Sequence, residues 1–181
     1  LEAAGARSRQ LEETRLALRK SEADYRRLLD DLPSEFFFYR HDSSGFFTFV
    51  SPSVTRLLGY DRAEFLAHYS KYMTDCEINA QAVEMTNLSL SGVKPPPYQV
   101  EILHRDGSVK LLEVVESPVF DENGRVAAVE GVARDITSRK SAEAALKASD
   151  ERFRTAFGQA PVGMMLISED CVVTNANDAM C

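Results

Sequence analysis

One stretch of the sequence, residues 126–137 (VAAVEGVARDIT), constrains the fold more than any other. Its first part is short, apolar and rich in valine, and it follows the turn sequence Asp121-Glu122-Asn123-Gly124, so it is predicted to be a β-strand. The chain after Thr137 is rich in alanine and charged residues and lacks Gly and Pro as far as Phe153, which predicts a helix. A core strand is therefore expected to continue directly into an exposed helix. Because such a joint can carry a shift of the sheet to whatever the helix contacts, the pattern favours a signal transmitter over an enzyme.

Size and charge limit the class of protein. The 181 residues are 44% hydrophobic and 27% charged, which predicts one domain of about 100–130 residues with helical extensions. A net charge of −7 without any Lys/Arg cluster argues against nucleic acid or an anionic membrane as a partner. No apolar run is long enough to span a bilayer, and no signal peptide opens the chain. The three cysteines have neither a paired framework nor C-x-x-C spacing, so a cytoplasmic location is predicted.

The N-terminal segment, residues 1–32, is predicted to be an amphipathic helix over residues 11–31 that ends at Pro33. Apolar residues recur with heptad spacing, and two interpretations fit them: a coiled-coil seam of a homodimer, which we favour, or a single helix lying on its own domain. The repeat consists of Ala4, Leu11, Leu18, Tyr25 and Leu32. We expect the sequence to be a piece of a longer protein, because it begins within a helical pattern and stops within a strand pattern.

Turn and breaker signals divide the next hundred residues into five strands with helices inserted after the second. Asp42 to Gly45 makes a hairpin turn between the first two strands, Asp106-Gly107 joins the third and fourth, and Asn123-Gly124 leads into the fifth. The class predicted is α+β, an antiparallel sheet with helices on one face. The predicted strands are 35–41, 46–50, 98–104, 109–119 and 126–134, and the predicted helices start at Ser51 and span 61–67 and 78–91. The last helix is predicted to carry Ile78, Ala82, Met85 and Ser89 on one stripe.

Four short motifs follow one another along residues 25–140. They are D-x-x-G at 42–45, S-P-S-V-T-R-L-L-G-Y at 51–60, R-D-G-S at 105–108 and G-V-A-R-D-I-T at 131–137. In these motifs and their order, residues 25–140 resemble a PAS domain. The resemblance implies a five-stranded sheet that cups a small pocket, in a cytosolic signalling protein. It also implies that the exit helix joins the sensor to a histidine kinase, a cyclic-dinucleotide enzyme or another PAS domain.

An internal repeat indicates a tandem array, because residues 18–33 are echoed at a constant offset by residues 146–161. We therefore interpret 33–137 as the PAS sensor domain, 138–160 as a linker helix and 161–181 as the start of a second PAS domain, in which Cys171 replaces the usual turn glycine. Residues 151–164 are similar to PAS segments that precede GGDEF-type diguanylate cyclases. A homodimer through the N-terminal and linker helices is expected.

No cofactor is predicted. A haem-binding PAS domain would carry its axial histidine on the long inserted helix, which has none, and His68 is the nearest substitute. Cys76 lies in M-T-D-C-E-I, unlike the reactive cysteine motif of light-sensing flavin domains, and the chain has no Trp. No nucleophile with a base, paired carboxylates or phosphate loop appears, so this chain is not expected to be an enzyme. Glu113, Glu116 and Glu130 are interpreted as solvated residues on strands.

The predicted pocket is lined by apolar side chains from the sheet and from the inserted helices, with Gly131 at a point where a side chain would fill it. His41 either presents a polar group to this pocket or, as we favour, is a hydrogen-bonded histidine at a strand end. The candidate pocket residues are Phe37, Tyr39, His41, Leu58, Phe65, Ile78, Ala82, Met85, Val100, Ile102, Leu112, Val114 and Gly131. The resemblance assigns signal relay to Asp135, Ile136 and Thr137.

Two functions remain open from the sequence. One is a sensory module that binds a small, largely apolar ligand and relays the signal through its C-terminal helix to a diguanylate cyclase or histidine kinase. The other is a structural dimerisation and relay module whose core is filled. A cavity large enough for several heavy atoms would favour the first.

Overall fold

The computed structural model describes Glu12, residues 14–21, Asp24 and residues 35–180. Residues 14–21 are helical, as predicted, and Leu18 is exposed, but the other four positions of the heptad repeat lie outside the described residues. The predicted dimer seam therefore stays a prediction. The chain divides between Ile136 and Thr137 into two compact units.

The first unit contains the predicted five-stranded antiparallel sheet. Its strands lie in the order β2-β1-β5-β4-β3, so β5, which was predicted at residues 126–134, is central. This order follows from the hairpin turns, because each turn fixes two neighbours and β5 joins the two hairpins through its pairs with β1 and β4. The strands are β1 (Phe36–Asp42), β2 (Phe47–Val50), β3 (Tyr98–Leu103), β4 (Val109–Phe120) and β5 (Val126–Asp135).

Helices inserted between β2 and β3 cover one face of the sheet. They are α1 (Ser53–Leu58), α2 (Arg62–Phe65), a 3₁₀ helix (Tyr69–Tyr72) and α3 (Glu77–Leu90). Helix α1 ends at Gly59, whose φ of 76° lies in the left-handed region that favours glycine. The sequence did not predict the 3₁₀ helix, and α2 is shorter than the predicted 61–67.

The first turn of α3 and the segment before it cover the exposed edge of the sheet at β3. Asn79 Nδ2 donates to the carbonyl of Glu101 at 2.8 Å, and its Oδ1 accepts from the Glu101 N–H at 2.7 Å. The Thr74 N–H donates to the same carbonyl at 3.3 Å. An edge strand with free backbone groups invites pairing with another chain, so these bonds close the sheet on this side.

Helix α3 turns a polar face toward the sheet, which differs from the predicted stripe of Ile78, Ala82, Met85 and Ser89. Ala82 and Ser89 are buried as expected, but Ile78 and Met85 are only half-buried. The other buried positions are Asn79 and Thr86. The physical reason is that the strands facing α3 carry polar partners. The amide and hydroxyl groups on this face of the helix can therefore be buried, because they are hydrogen-bonded there.

The second unit begins with α4 (Thr137–Gly158), which confirms that a helix follows β5 directly. A small hairpin of β6 (Met165–Ile167) and β7 (Val173–Ala176) follows it. Cys171 has φ 59°, so it occupies the left-handed turn position where the resemblance expects glycine. Asn177 is buried and accepts the Met164 N–H at 2.8 Å, which fixes the start of the hairpin. Within the described residues, no helix has both the length and the apolar character needed to cross a bilayer.

Candidate functional site

A small cavity lies between the sheet and the inserted helices, and we call it the sheet cavity. Its volume is about 50 Å³. Strand alternation explains its walls: residues of one parity on β1, β3 and β4 face inward, and helices α2 and α3 close the opposite side. The lining residues are Phe37, Tyr39, His41, Phe47, Phe65, Tyr69, Tyr72, Met73, Ala82, Val83, Thr86, Tyr98, Val100, Ile102, Leu112, Val114, Glu116 and Ala133.

The structure brings nine of the thirteen candidate pocket residues to the sheet cavity. Leu58 is fully buried in the core but does not line the cavity, and Ile78 and Met85 lie half-buried on α3 outside it. The lining residues that the sequence reasoning missed come from the 3₁₀ helix, from α3 and from inward positions of the strands. They are Phe47, Tyr69, Tyr72, Met73, Val83, Thr86, Tyr98, Glu116 and Ala133.

Gly131 faces inward as predicted, but the space beside it is already occupied. A Cβ built on Gly131 would lie 2.8 Å from Tyr39 Cε1 and closer still to Cζ and Oη of the same ring. Gly131 pairs with Tyr39 on one side and with Glu116 on the other. The glycine therefore makes room for the Tyr39 ring and does not border open cavity.

The cavity has one polar end, which is built around Glu116. This carboxylate is 2% exposed. The Tyr39 hydroxyl donates to Oε1 at 2.6 Å, and the Ser89 hydroxyl donates to Oε2 at 3.2 Å. The sequence interpretation of Glu116 as a solvated residue is wrong, because Glu116 shares its parity on β4 with the inward-facing Leu112 and Val114. That alternation was the signal that would have found it.

His41 lies at the same polar end and is 1% exposed. Its Nδ1 is 2.8 Å from the carbonyl of Asp42, so Nδ1 carries the proton and donates it. Its Nε2 has no hydrogen-bond partner and is 3.8 Å from Glu116 Oε1. Both environments considered for His41 are thus present: the ring is hydrogen-bonded near a strand end, and it also lines the cavity.

The electrostatics of this end keep the carboxylate charged and the phenols neutral. Burial by itself raises the pKa of Glu116, but the neighbouring His41 and the hydroxyls of Tyr39 and Tyr98 outweigh it, so the pKa lies below its ordinary value. Burial, and then the charge of Glu116, raise the pKa of Tyr69. Burial is also the main cause that raises the pKa of Tyr39 and of Tyr98. Around neutral pH, the tyrosine hydroxyls therefore keep their protons and can donate to the ionised Glu116 carboxylate.

The residues considered for haem and flavin lie elsewhere. His68 caps the 3₁₀ helix, where its Nδ1 is 2.8 Å from Ser70 Oγ, and Cys76 Sγ accepts from Thr74 Oγ1 at 3.3 Å. Neither lines the sheet cavity. Residues 35–180 also contain no group of three His, Cys, Asp or Glu side chains placed to hold a metal.

The residues assigned to relay lie at the end of the central strand. Asp135 Oδ2 is 3.0 Å from Lys110 Nζ on β4, and the Asp135 N–H donates to the carbonyl of Glu35 at 2.8 Å. Ile136 is buried and its N–H donates to the carbonyl of Leu111 at 2.9 Å. Thr137 is the first residue of α4. The exit from the sheet is therefore held by β4 on one side and by the residue before β1 on the other.

The antiparallel sheet has a cupped face, inserted helices close it, and a helix follows its central strand in the chain. This arrangement defines a module of the α+β class that signalling proteins use. The comparisons with known proteins agree with this class. The family model described as "PAS fold" matches residues 47–133, and the model described as "PAS domain" matches residues 151–181. The chain carries a PAS domain of a signalling protein, followed by a segment that matches a second PAS domain.

Solved structures show the same fold at low sequence identity. The N-terminal domain of a diguanylate cyclase with PAS/PAC sensor from Marinobacter aquaeolei is 21% identical, with a TM-score of 0.52, covering 58% of this chain and 98% of that one. A sensory box histidine kinase/response regulator from Burkholderia thailandensis is 18% identical (TM-score 0.55, 67% and 92% covered). The PAS domain of an HTR-like protein from Haloarcula marismortui is 18% identical (TM-score 0.56, 69% and 99% covered). No curated protein sequence shows significant similarity to the chain.

Proposed function

We propose that this PAS domain is a ligand sensor: it binds a small, largely apolar molecule in the sheet cavity and relays the event through its C-terminal helix. The observation that carries the proposal is the unpartnered His41 Nε2, buried beside Glu116 at one end of an otherwise apolar cavity. A buried polar atom without a partner costs free energy, and a bound molecule that hydrogen-bonds to it recovers that cost.

The volume limits the ligand to a few non-hydrogen atoms. An engineered apolar cavity of about 150 Å³ binds benzene, and the sheet cavity at about 50 Å³ is a third of that size. A short aliphatic body with one polar group fits these dimensions. A larger ligand would require the aromatic side chains of the 3₁₀ helix to move outward.

Relay is proposed to run through the end of β5, because this strand is central in the sheet and α4 follows it in the chain. The output is proposed to be a diguanylate cyclase or a histidine kinase, the classes of protein to which two of the structural relatives belong. We further propose that the protein acts in the cytoplasm as a homodimer through its N-terminal and linker helices, and that this module has no enzymatic activity of its own.

One observation favours the alternative of a relay and dimerisation module without a ligand. The cavity is far smaller than the several hundred Å³ usual for ligand sites, so the core comes close to being filled. The outer face of the sheet also presents partly exposed apolar side chains, among them Phe38, Phe49 and Val115, which suit a protein interface.

Entry of xenon into the sheet cavity separates the two functions. Ala82 lines the cavity, so Ala82→Leu is expected to fill it, whereas Ala80→Leu on the exposed side of α3 is the matched control. Amide NMR shifts of Val100, Leu112 and Val114 on xenon titration should saturate in the parent chain and in Ala80→Leu, but not in Ala82→Leu. No response in any of the three proteins would support the filled-core alternative, and identical responses of all three would place the xenon site away from Ala82.

A further inference from the structure

The sheet cavity combines a buried carboxylate with a wall of aromatic rings, and we infer that its ligand is a small organic cation, a short alkylammonium. This inference rests on the proposed ligand-sensing function and deepens it by naming the chemical class. It narrows the expected ligand from a largely apolar molecule to one whose single polar group is positively charged.

The first argument is the charge of Glu116. The carboxylate is almost fully buried, and the ordinary cost of burying an ionised carboxylate is high unless a cation and hydrogen bonds compensate. Hydroxyl donors from Tyr39 and Ser89 provide hydrogen bonds but no charge. Within residues 35–180, the only basic side chain within 4.0 Å of this carboxylate is His41, at 3.8 Å. That distance is too long for a hydrogen bond, so the carboxylate has no directly bonded cation.

The second argument is the placement of the acceptors. Glu116 Oε1 and His41 Nε2 are 3.8 Å apart and both border the cavity. Because hydrogen-bonded N and O atoms lie about 3 Å apart, one ammonium nitrogen can reach both atoms at once. In the neutral His41 tautomer with its proton on Nδ1, Nε2 and Glu116 Oε1 form a pair of acceptors. An ammonium group, which has several N–H donors and no acceptor, matches that pair.

The third argument is the aromatic wall. The rings of Phe37, Phe47, Phe65, Tyr69, Tyr72 and Tyr98 line the cavity, together with Tyr39 at its polar end. Any occupant of so small a space lies close to several of them, and a desolvated cation is attracted to aromatic faces within about 6 Å. An aliphatic part of the wall accommodates a short hydrocarbon chain; it is formed by Ala82, Val83, Val100, Ile102, Leu112, Val114 and Ala133.

Three molecules of the same shape test the inference on the unaltered chain: n-propylammonium, 1-propanol and propionate. Binding is measured by NMR shift titration of the cavity-lining amides at neutral pH. We expect propylammonium to bind about tenfold more tightly than propanol, the ratio that about 1.4 kcal/mol of charge recognition gives. Propionate should not bind, because its charge repels that of Glu116.

Glu116→Gln should reduce the preference for propylammonium over propanol to about twofold or less while propanol still binds. Glu122→Gln, on an exposed turn, is the matched control and should keep the preference. All titrations are made at about 0.15 M salt, because the acidic chain attracts cations to its surface and salt screens that attraction. The series on the parent chain decides the matter even if Glu116→Gln does not fold.

The failure of this inference is distinguishable from failure of the proposed function. If propanol binds as tightly as propylammonium, the inference of a cationic ligand is wrong, but the proposal of a ligand sensor stands. Xenon entry without binding of propylammonium would also overturn it. If neither xenon nor any of the three molecules enters, both the inference and the ligand-sensing function fall.

Discussion

The Tyr39 hydroxyl hydrogen-bonds to Glu116 Oε1 at 2.6 Å across the central strand of the sheet, over a residue that has no side chain. Gly131 pairs with both residues in register, so all three are neighbours on the inward face. A side chain at Gly131 would collide with the Tyr39 ring. The glycine of β5 thus permits a contact between β1 and β4 that fixes the polar end of the cavity.

Tyr39→Phe should lower the free energy of unfolding by about 1.5–3 kcal/mol, the range for a hydrogen bond to a charged group, because Glu116 loses its shortest donor. Tyr72→Phe is the matched control, since its hydroxyl donates at 2.7 Å to the neutral carbonyl of Glu64 and should cost only about 0.5–1.5 kcal/mol. Urea unfolding of the two variants provides the comparison. Equal losses would show that the charge of Glu116 does not strengthen the Tyr39 bond.

Glu116 should make the chain sensitive to acid. Its pKa in the folded chain lies below the ordinary value of 4.5, so the unfolded chain takes up the proton first as the pH falls. The stabilisation is therefore fully present above about pH 4.5 and is lost as the pH falls through the folded pKa. The stability difference between the parent and Glu116→Gln should shrink in that window, whereas Glu122→Gln should follow the parent. A difference that is constant between pH 7 and acid would contradict the assignment.

Gly131→Ala should destabilise the domain by about 1–3 kcal/mol, because the added methyl group forces the Tyr39 ring out of its place. Tyr39→Leu shortens the colliding side chain, so the double variant should lose less than the sum of the two single losses. A double-mutant cycle from urea unfolding measures this coupling. Strict additivity would mean that the two residues do not compete for the same space.

Asp135→Ala should change signalling output more than stability. Its ion pair with Lys110 holds the end of β5 to β4, and it is partly solvated, so we expect a loss of about 0.2–1 kcal/mol, which a domain of this size usually survives. Lys110→Ala removes the same ion pair from the other strand and should alter output in the same direction. The full-length protein is assayed with and without stimulus, beside a melting curve. If both variants give normal output, Asp135 has only a structural role and takes no part in signalling.

The five strands and the hairpin pairs β1–β2, β3–β4 and β4–β5 were predictable because each depends on local signals, whereas the pairing of β1 with β5 joins distant parts of the chain. Asp106-Gly107 and Asn123-Gly124 are turn sequences, and alternation of apolar residues sets the inward face of β4. Glu116 was assigned to solvent because a carboxylate was expected outside. The stronger signal is that Glu116 alternates in step with Leu112 and Val114. Side chains two residues apart on a strand face the same side unless a bulge intervenes.

The inward face of α3 was not predictable from its own residues. Of the predicted face through Ile78, Ala82, Met85 and Ser89, the helix buries Ala82 and Ser89, but Asn79 and Thr86 are buried in place of Ile78 and Met85. The buried polar residues are thus Asn79, Thr86 and Ser89. Their partners, the backbone of Glu101, the Tyr98 hydroxyl and Glu116, lie on strands that follow the helix in sequence. Only the packed structure shows that polar groups on both sides satisfy one another.

Direct observation of the His41 ring by ¹⁵N NMR is the measurement that tests the ligand site most directly. The chain has three histidines, so the ring nitrogens of His41 can be compared with those of His68 and His104 in the same spectrum. On titration with n-propylammonium or 1-propanol, we expect a saturable shift of the His41 Nε2 signal, with the signals of the other two histidines unchanged. An unchanged His41 signal, or equal shifts of all three histidines, would contradict a ligand site at the polar end of the sheet cavity.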